Sequence, residues 1–283
     1  MEFTSEQKEI AKRLSYCANL FRSYFYKDDS FKEQFEDNYQ ALVCFFENYA
    51  YQRQGAAPAY SEIAVKALKN RFSRGARSVT IVDAKEVWKD YQEIARKEYN
   101  NLGVNGTHNP MCSDNGLLTV MAKKNITNLA SHVKSLIQNS QTKEAYELVD
   151  DIQGVGTKIA SLYLRDIVYL GRIPENRIKD QYYLQPVDTW IEQTLSIIFG
   201  DRKPKVLRKK QELIINLCEV ANVSPIAFNQ GAWMLGSQVA GDYSTFQQLA
   251  KGRNAKAIIK EHIEEMKRYV SDAEHWLMHW PES

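Results

Sequence analysis

The chain has 283 residues, of which 44% are hydrophobic, and its 37 Lys and Arg residues nearly balance 35 Asp and Glu residues. This length and apolar content are sufficient to bury a core in one large or two smaller domains. The sequence has no signal peptide and no apolar run of membrane-spanning length, which argues against secreted and membrane classes and leads us to expect a cytoplasmic, nucleoid-associated protein.

Helical periodicity dominates the first half of the chain. The spacing of Ile10, Leu14 and Phe21 predicts a helix over residues 4–26, which Thr4 and Gln7 open as a capping box. Similar patterns predict further helices over residues 38–54, 61–71, 83–99, 117–137 and 142–151. The only strand-like fragment, residues 78–82, is too short to found a sheet, and the Gly- and Asn-rich residues 101–115 are predicted to form a loop.

A glycine hairpin interrupts the helical pattern at residues 153–157, Gln-Gly-Val-Gly-Thr, and a new helix is predicted from Lys158. A Gly-X-Gly turn between two helices leaves main-chain N–H groups free at a helix N-terminus, where the macrodipole favours an anion such as a DNA phosphate. Taken alone, Gly154 and Gly156 could equally form a tight connection between packed helices. Lys158 could be an ordinary first-turn lysine, although a cation is poorly placed at a positive helix N-terminus; its amine is also a candidate nucleophile.

A second motif, Pro186-Val187-Asp188-Thr189-Trp190, predicts a rigid entry into another helix. It places the carboxylate of Asp188 at the helix start, where Asp is a good N-cap. Capping and catalysis do not exclude each other, so Lys158 and Asp188 are candidate catalytic partners. Helices are predicted over the rest of the chain at residues 204–220, 224–236 and 256–280.

Together these motifs resemble the helix-hairpin-helix DNA glycosylase superfamily, in which a Gly-Val-Gly-Thr-Lys hairpin precedes a Val-Asp-Thr helix start. Residues 228–236, Phe-Asn-Gln-Gly-Ala-Trp-Met-Leu-Gly, are similar to the late helix of the same superfamily. The long interval over residues 171–185, with Tyr182 and Tyr183, resembles the archaeal type of 8-oxoguanine glycosylase. The resemblance covers roughly the last 140 residues and is thin before them.

The resemblance implies an all-α fold of two helical subdomains with a DNA-binding cleft between them. Residues 42–170 would form a helical barrel that ends in the helix-hairpin-helix, and residues 1–41 with 171–283 would form the second subdomain, which carries Asp188. Lys158 and Asp188 would then face each other across the cleft.

The implied activity is that of a bifunctional DNA glycosylase/AP lyase of base excision repair. The enzyme would flip an oxidised base, most readily 8-oxoguanine, out of the duplex and excise it through a Schiff base on Lys158, followed by β-elimination. One alternative is a glycosylase for another base, such as an oxidised pyrimidine or a modified base of foreign DNA. A non-catalytic DNA-binding module, with the hairpin as a clamp, is the alternative of another class.

Further site residues follow from the same resemblance. The hairpin residues Gly154, Val155, Gly156 and Thr157 would bind a DNA phosphate. One of three residues in the loop after the second predicted helix would fill the gap left by the flipped base, with a plain helix-end loop as an equal alternative; these are Gln52, Arg53 and Gln54. Three residues of a late basic cluster would contact the DNA backbone, although such runs are often only solvated helix faces; these are Arg208, Lys209 and Lys210.

No metal or organic cofactor is expected for this chemistry, although a monovalent cation at the hairpin would fit the family. Part of the superfamily carries an iron–sulfur cluster, but the four cysteines here are scattered singly and are expected to be buried or free thiols. His108 and Cys112 lack the further ligands that a metal site requires, which favours a structural loop. The expected partner is double-stranded DNA with a damaged base, bound by a monomer that does not contact membranes.

Overall fold

The computed structural model describes residues 2–26, 35–52, 58–72, 79–253, 255–266 and 280. All regular structure in these ranges is helical, without a strand, which confirms the all-α prediction. Two of the proposed gap-filling residues, Arg53 and Gln54, lie outside the described residues. No helix in the described part of the chain combines the length and apolarity needed to cross a bilayer.

The described ranges contain 14 α-helices. They are α1 (Ser5–Tyr16), α2 (Ala18–Phe25), α3 (Asn38–Phe45), α4 (Pro58–Phe72), α5 (Ile81–Glu98), α6 (Leu117–Lys123), α7 (Leu129–Gln138), α8 (Thr142–Asp150), α9 (Thr157–Leu170), α10 (Thr189–Phe199), α11 (Leu207–Ala221), α12 (Pro225–Met234), α13 (Tyr243–Ala250) and α14 (Ala255–Met266). Two of them continue as π-helical turns, α3 over Phe46–Ala50 and α12 over Leu235–Ala240.

The chain divides into two compact units. Residues 30–180 form one, the central unit, and residues 1–29 with 181–283 form the other, the terminal unit. The central unit therefore holds α3 to α9, and the terminal unit holds α1, α2 and α10 to α14.

Helix α9 forms the core of the central unit. Ten of its 14 residues are buried, so this helix is packed against neighbours on most of its circumference. Tyr163, at its middle, meets the rings of Phe35, Phe45 and Tyr49 with centroids 6.3, 5.2 and 5.0 Å away. Because α9 is fixed by this aromatic cluster, the position of its N-terminal turn, which carries Lys158, is fixed as well.

Helix α12 forms the core of the terminal unit, with nine of its ten residues buried. A Cβ atom added at Gly231 would lie 1.7 Å from the carbonyl oxygen of Leu14, so only glycine allows α1 and α12 to approach this closely. At Gly236 an added Cβ would lie 2.2 Å from the indole ring of Trp190. The glycines of the late-helix motif are thus required by packing, and one of them seats the helix that begins at Asp188.

Helix boundaries differ from the predicted ones where asparagine or cysteine side chains compete for the backbone. The predicted helix over residues 117–137 is two helices, because Asn125 adopts a left-handed φ of 53° and Asn128 caps α7 by accepting from Ser131 N at 2.9 Å. The predicted helix over residues 4–26 is likewise broken at Cys17, although the capping box of Thr4 and Gln7 is confirmed. Helix α13 was not predicted; it has only eight residues.

The prediction of a strand-like fragment at residues 78–82 is wrong for the described residues 79–82, since Ile81 and Val82 form the first turn of α5. Thr80 is the N-cap of that helix, and its side chain exchanges hydrogen bonds with Asp83 in a capping box. Asp83 is therefore the third residue of the helix. The capping box outweighs the β-branched pair, which is left exposed on the first turn.

The four cysteines are buried, as predicted, and none of them forms a disulfide with another described residue. Burial raises the pKa of the Cys44 thiol to about 11, so this group is uncharged at neutral pH. The cysteines act as small apolar core residues.

Candidate functional site

The hairpin between α8 and α9 requires a glycine at its first position. Gly154 has a φ of 82°, which L side chains rarely adopt, and an added Cβ would lie 2.2 Å from the carbonyl oxygen of His108. Gly156, by contrast, has ordinary extended geometry, and an added Cβ would meet open space. The two glycines of the motif therefore have different roles, and only Gly154 is sterically locked.

The loop over residues 101–115 fixes the hairpin through hydrogen bonds to Gln153. The sequence alone did not predict this role. Gln153 donates its main-chain N–H to Asn115 O at 2.9 Å and its side-chain amide to Gly106 O at 2.7 Å, and its Oε1 accepts from Cys112 Sγ at 3.0 Å. The Asn105-Gly106 dipeptide indicated a turn in this loop, but it did not indicate that the turn contacts Gln153. Cys112 is occupied by this contact, and the described residues contain no cluster of three or more metal-ligating side chains.

The first turn of α9 presents unpaired donors to solvent. Gly156 is its N-cap and provides no side-chain cap. Within the described residues, the main-chain N–H groups of Gly156, Thr157 and Lys158 have no acceptor, and all three residues are exposed. This arrangement is a ready binding site for an anion.

Lys158 extends from this turn toward a segment more than a hundred positions earlier in the chain. Its Nζ lies 3.5 Å from the carbonyl oxygen of Gln52. Gln52 follows the π-helical turn Phe46–Ala50, which is tied to α9 by a hydrogen bond of 3.1 Å from the Tyr49 hydroxyl to Asp166 Oδ2. Asp166 in turn forms a buried ion pair with Arg165 at 2.8 Å. The structure thus brings together Lys158 and one of the three proposed gap-filling residues.

Asp188 is the N-cap of α10, and its Oδ1 accepts from Ile191 N at 2.9 Å. The residues before it are fixed by two buried amides of the terminal unit. Asn229 donates to the Pro186 carbonyl at 2.9 Å, and Gln211 donates to the Gln185 carbonyl at 3.0 Å. The capping role is therefore confirmed, and the backbone that leads to the carboxylate is held at two consecutive residues. Lys158 belongs to the central unit and Asp188 to the terminal unit.

The late basic cluster is partly neutralised. Arg208 pairs with Glu212 at 2.6 Å and stacks over the Tyr182 ring, and Lys210 forms an ion pair with Glu192. Lys209 is exposed and has no ion-pair partner among the described residues. Of the three proposed DNA-backbone contacts, Lys209 is the one whose charge is not already shared with a carboxylate. The stacking of Arg208 gives Tyr182 an anchoring contact within the protein.

Comparison with known proteins identifies no function. The chain is similar to an uncharacterized protein of Methanocaldococcus jannaschii, with 29% identity over 163 residues; the match covers 48% of this chain and 36% of the relative. The chain therefore matches little more than a third of the relative's length. No protein-family model matches the sequence, and no solved structure matches it.

The contrast between the two hairpin glycines predicts a difference in stability. We expect Gly154→Ala to lower the free energy of unfolding of the central unit by about 2–4 kcal/mol, because the left-handed φ and the clash with the His108 carbonyl add together. Gly156→Ala should change it by less than about 1 kcal/mol. Urea denaturation followed by circular dichroism measures both variants. Equal losses of unfolding free energy in the two variants would show that the loop carrying His108 can shift to accommodate a Cβ at residue 154, so that the hairpin is not locked.

Proposed function

We propose that this protein is a bifunctional DNA glycosylase/AP lyase of the helix-hairpin-helix type, which excises an oxidised base, foremost 8-oxoguanine, from duplex DNA. The observation that carries the proposal is the start of α9. There a hairpin locked at Gly154, three exposed main-chain N–H groups and the exposed amine of Lys158 occur within five consecutive residues.

The three N–H groups support binding of a DNA phosphate. They require no charged side chain, and the macrodipole of the 14-residue helix α9 adds to their attraction for an anion. A phosphate bound there would place the adjoining deoxyribose within reach of the Lys158 side chain. This proximity distinguishes a catalytic hairpin from a plain clamp, which needs the N–H groups but no amine.

Asp188 supports the second half of the chemistry. Its carboxylate is held at the start of α10 by a cap bond, and the peptide groups just before it are fixed by Gln211 and Asn229. A carboxylate fixed in this way can stabilise the positive charge that develops on the deoxyribose, without reorganising during the reaction. It can also accept a proton from the attacking lysine.

The reaction then proceeds in two stages. The flipped nucleotide loses its base when Lys158 Nζ attacks C1′; the C1′–N bond breaks, its electron pair leaves with the base, and the base takes up a proton. The resulting glycosylamine opens by cleavage of its bond from C1′ to the ring oxygen, which gives a Schiff base between Nζ and C1′. Loss of a C2′ proton then expels the 3′ phosphate by β-elimination, and hydrolysis of the Schiff base releases the enzyme.

Gln52 is proposed to fill the gap left in the duplex. Its carbonyl lies beside Lys158, and the Tyr49–Asp166 hydrogen bond fixes the π-helical turn that precedes it. Lys209 is proposed as the main backbone contact of the late basic cluster, since Arg208 and Lys210 share their charges with glutamates. Of the four hairpin residues inferred from the resemblance, Gly156 and Thr157 are proposed to bind the phosphate through their N–H groups. Gly154 shapes the turn, and Val155 N already donates to Ile152 O at 2.9 Å.

The test is an assay of the wild-type protein against duplexes that each carry one lesion. The set should include 8-oxoguanine, an oxidised pyrimidine, a preformed abasic site and no lesion. We expect release of the free base, a break on the 3′ side of the lesion, and covalent protein–DNA complexes when borohydride is present. If the protein bound these duplexes but cut none of them, including the one with the abasic site, the proposal would be overturned in favour of a non-catalytic DNA clamp.

A further inference from the structure

One buried side chain, three residues before Asp188 in the sequence, has no hydrogen-bond partner at either end of its amide. Gln185 has 0% of its surface exposed, and neither Nε2 nor Oε1 has a partner among the described residues. Its main chain, in contrast, is fully used, because its N–H donates to Tyr182 O at 3.1 Å and its carbonyl accepts from Gln211. The backbone is therefore fixed while the amide head has nothing to bind.

Two other buried amides of the terminal unit are hydrogen-bonded. Gln7 donates to the Ile198 carbonyl at 2.9 Å and accepts from Thr4 N at 2.9 Å. Asn229 donates to the Pro186 carbonyl. Burial of a polar group without a partner costs free energy, and an apolar side chain of the same shape would avoid that cost. Gln193 Oε1 and Gln230 Nε2 of the same unit also lack a partner, but Gln185 is the buried amide of the described residues in which neither end is paired, and this calls for a ligand as its partner.

We propose that the Gln185 amide reads the extruded base, an inference that rests on the proposed glycosylase function. Asp188, the candidate catalytic carboxylate, follows only three residues later on a segment whose carbonyls are held by Gln211 and Asn229. If the sugar of a flipped nucleotide reaches Asp188, the edge of its base would lie near the residues that precede Asp188 in the same segment. Gln185 is thus a specificity-determining residue.

The chemistry of the amide defines the class of base. Gln185 offers one acceptor and one donor side by side, and it pairs best with an edge that presents a donor next to an acceptor. The N–H and C=O of a lactam form such an edge, and 8-oxoguanine, uracil-type and oxidised pyrimidine bases all carry it. A base that offers only acceptors along its edge would leave one end of the amide unpaired and would be disfavoured.

The test compares Gln185→Met with Gln7→Met as a matched control. Methionine keeps the length of glutamine and removes both polar atoms. We expect Gln185→Met to raise Tm by about 2 °C or more, because no internal hydrogen bond is lost, whereas Gln7→Met should lower it. If Gln185→Met fails to fold, Gln185→Leu serves the same comparison.

The functional readout compares the activity of each variant on two substrates. We expect Gln185→Met to slow excision of the preferred base by about 100-fold or more, while cleavage of a preformed abasic site stays within about threefold, since that site has no base to read. Gln7→Met should leave both rates unchanged.

Three outcomes would overturn the inference. A fall in Tm for both Gln185 variants would mean that a buried water or other internal partner satisfies the amide. Equal excision by wild type and Gln185→Met would show that another group reads the base, with the glycosylase function intact. If wild type cut neither the lesion nor the abasic site, the proposed function would fail and the inference would fail with it.

Discussion

Lys158→Gln should reduce both the yield of borohydride-trapped complex and the rate of strand cleavage at an abasic site by at least about a thousandfold. The substitution removes the only amine that the hairpin places at the start of α9, and a glutamine cannot form a Schiff base. The side chain is exposed and makes one long contact, to Gln52 O at 3.5 Å, so Tm should hardly change. Gel analysis of DNA-linked protein, together with denaturing gels of the product strand, measures the effect.

Two control variants separate chemistry from charge. Lys158→Arg keeps a cation beside the phosphate site, so it should retain DNA affinity while it loses trapping. Lys143→Gln removes an exposed lysine of α8 that is paired with Glu147, and it should trap as wild type does. If Lys158→Gln were still trapped, another amine would be the nucleophile. If wild type released free base but was never trapped, the protein would be a monofunctional glycosylase that uses water activated by Asp188.

Asp188→Asn should reduce base excision by about a hundredfold to ten-thousandfold while Tm moves by no more than about 2 °C. Asparagine caps helices about as well as aspartate, so the bond to Ile191 N can be kept. Only the negative charge is lost, and with it the stabilisation of positive charge on the deoxyribose. Single-turnover excision assays and thermal unfolding of the same preparation provide the two measurements.

Asp242 offers a matched control for this prediction. It is the N-cap of α13 in the same unit and accepts from Thr245 N at 3.0 Å. Asp242→Asn makes the same chemical change at another cap and should leave excision untouched. A protein that unfolds in the Asp188→Asn variant but not in the Asp242→Asn variant would show that Asp188 is mainly structural.

Each of the two candidate catalytic residues has a π-helical turn near it, within its own unit. The turn Phe46–Ala50 leads to Gln52 beside Lys158. The turn Leu235–Ala240 contains Gly236, which packs against Trp190, two residues after Asp188. Such turns are rare and recur at functional sites because they shift the following residues out of regular helical register. Periodicity in the sequence does not distinguish them from ordinary helix.

The features that the sequence by itself determined are local ones. The capping box of Thr4, the cap at Asp188 and the turn at Gly154 depend on residues within a few positions of one another, and each is found where it was predicted. The all-α class also follows from the sequence, because helical periodicity runs through nearly every segment. Boundaries were missed where Asn125 and Asn128 end one helix and start another.

Only the tertiary structure decided what surrounds these motifs. The carbonyl of His108 behind Gly154, the carbonyl of Gln52 beside Lys158 and the unpaired amide of Gln185 all depend on residues distant in sequence, whose proximity no local pattern encodes. The same holds for the basic cluster, where Glu212 and Glu192 take up two of the three predicted charges. A local pattern fixes backbone conformation because it acts through neighbouring dihedrals and hydrogen bonds, whereas burial and pairing are set by packing of the whole unit.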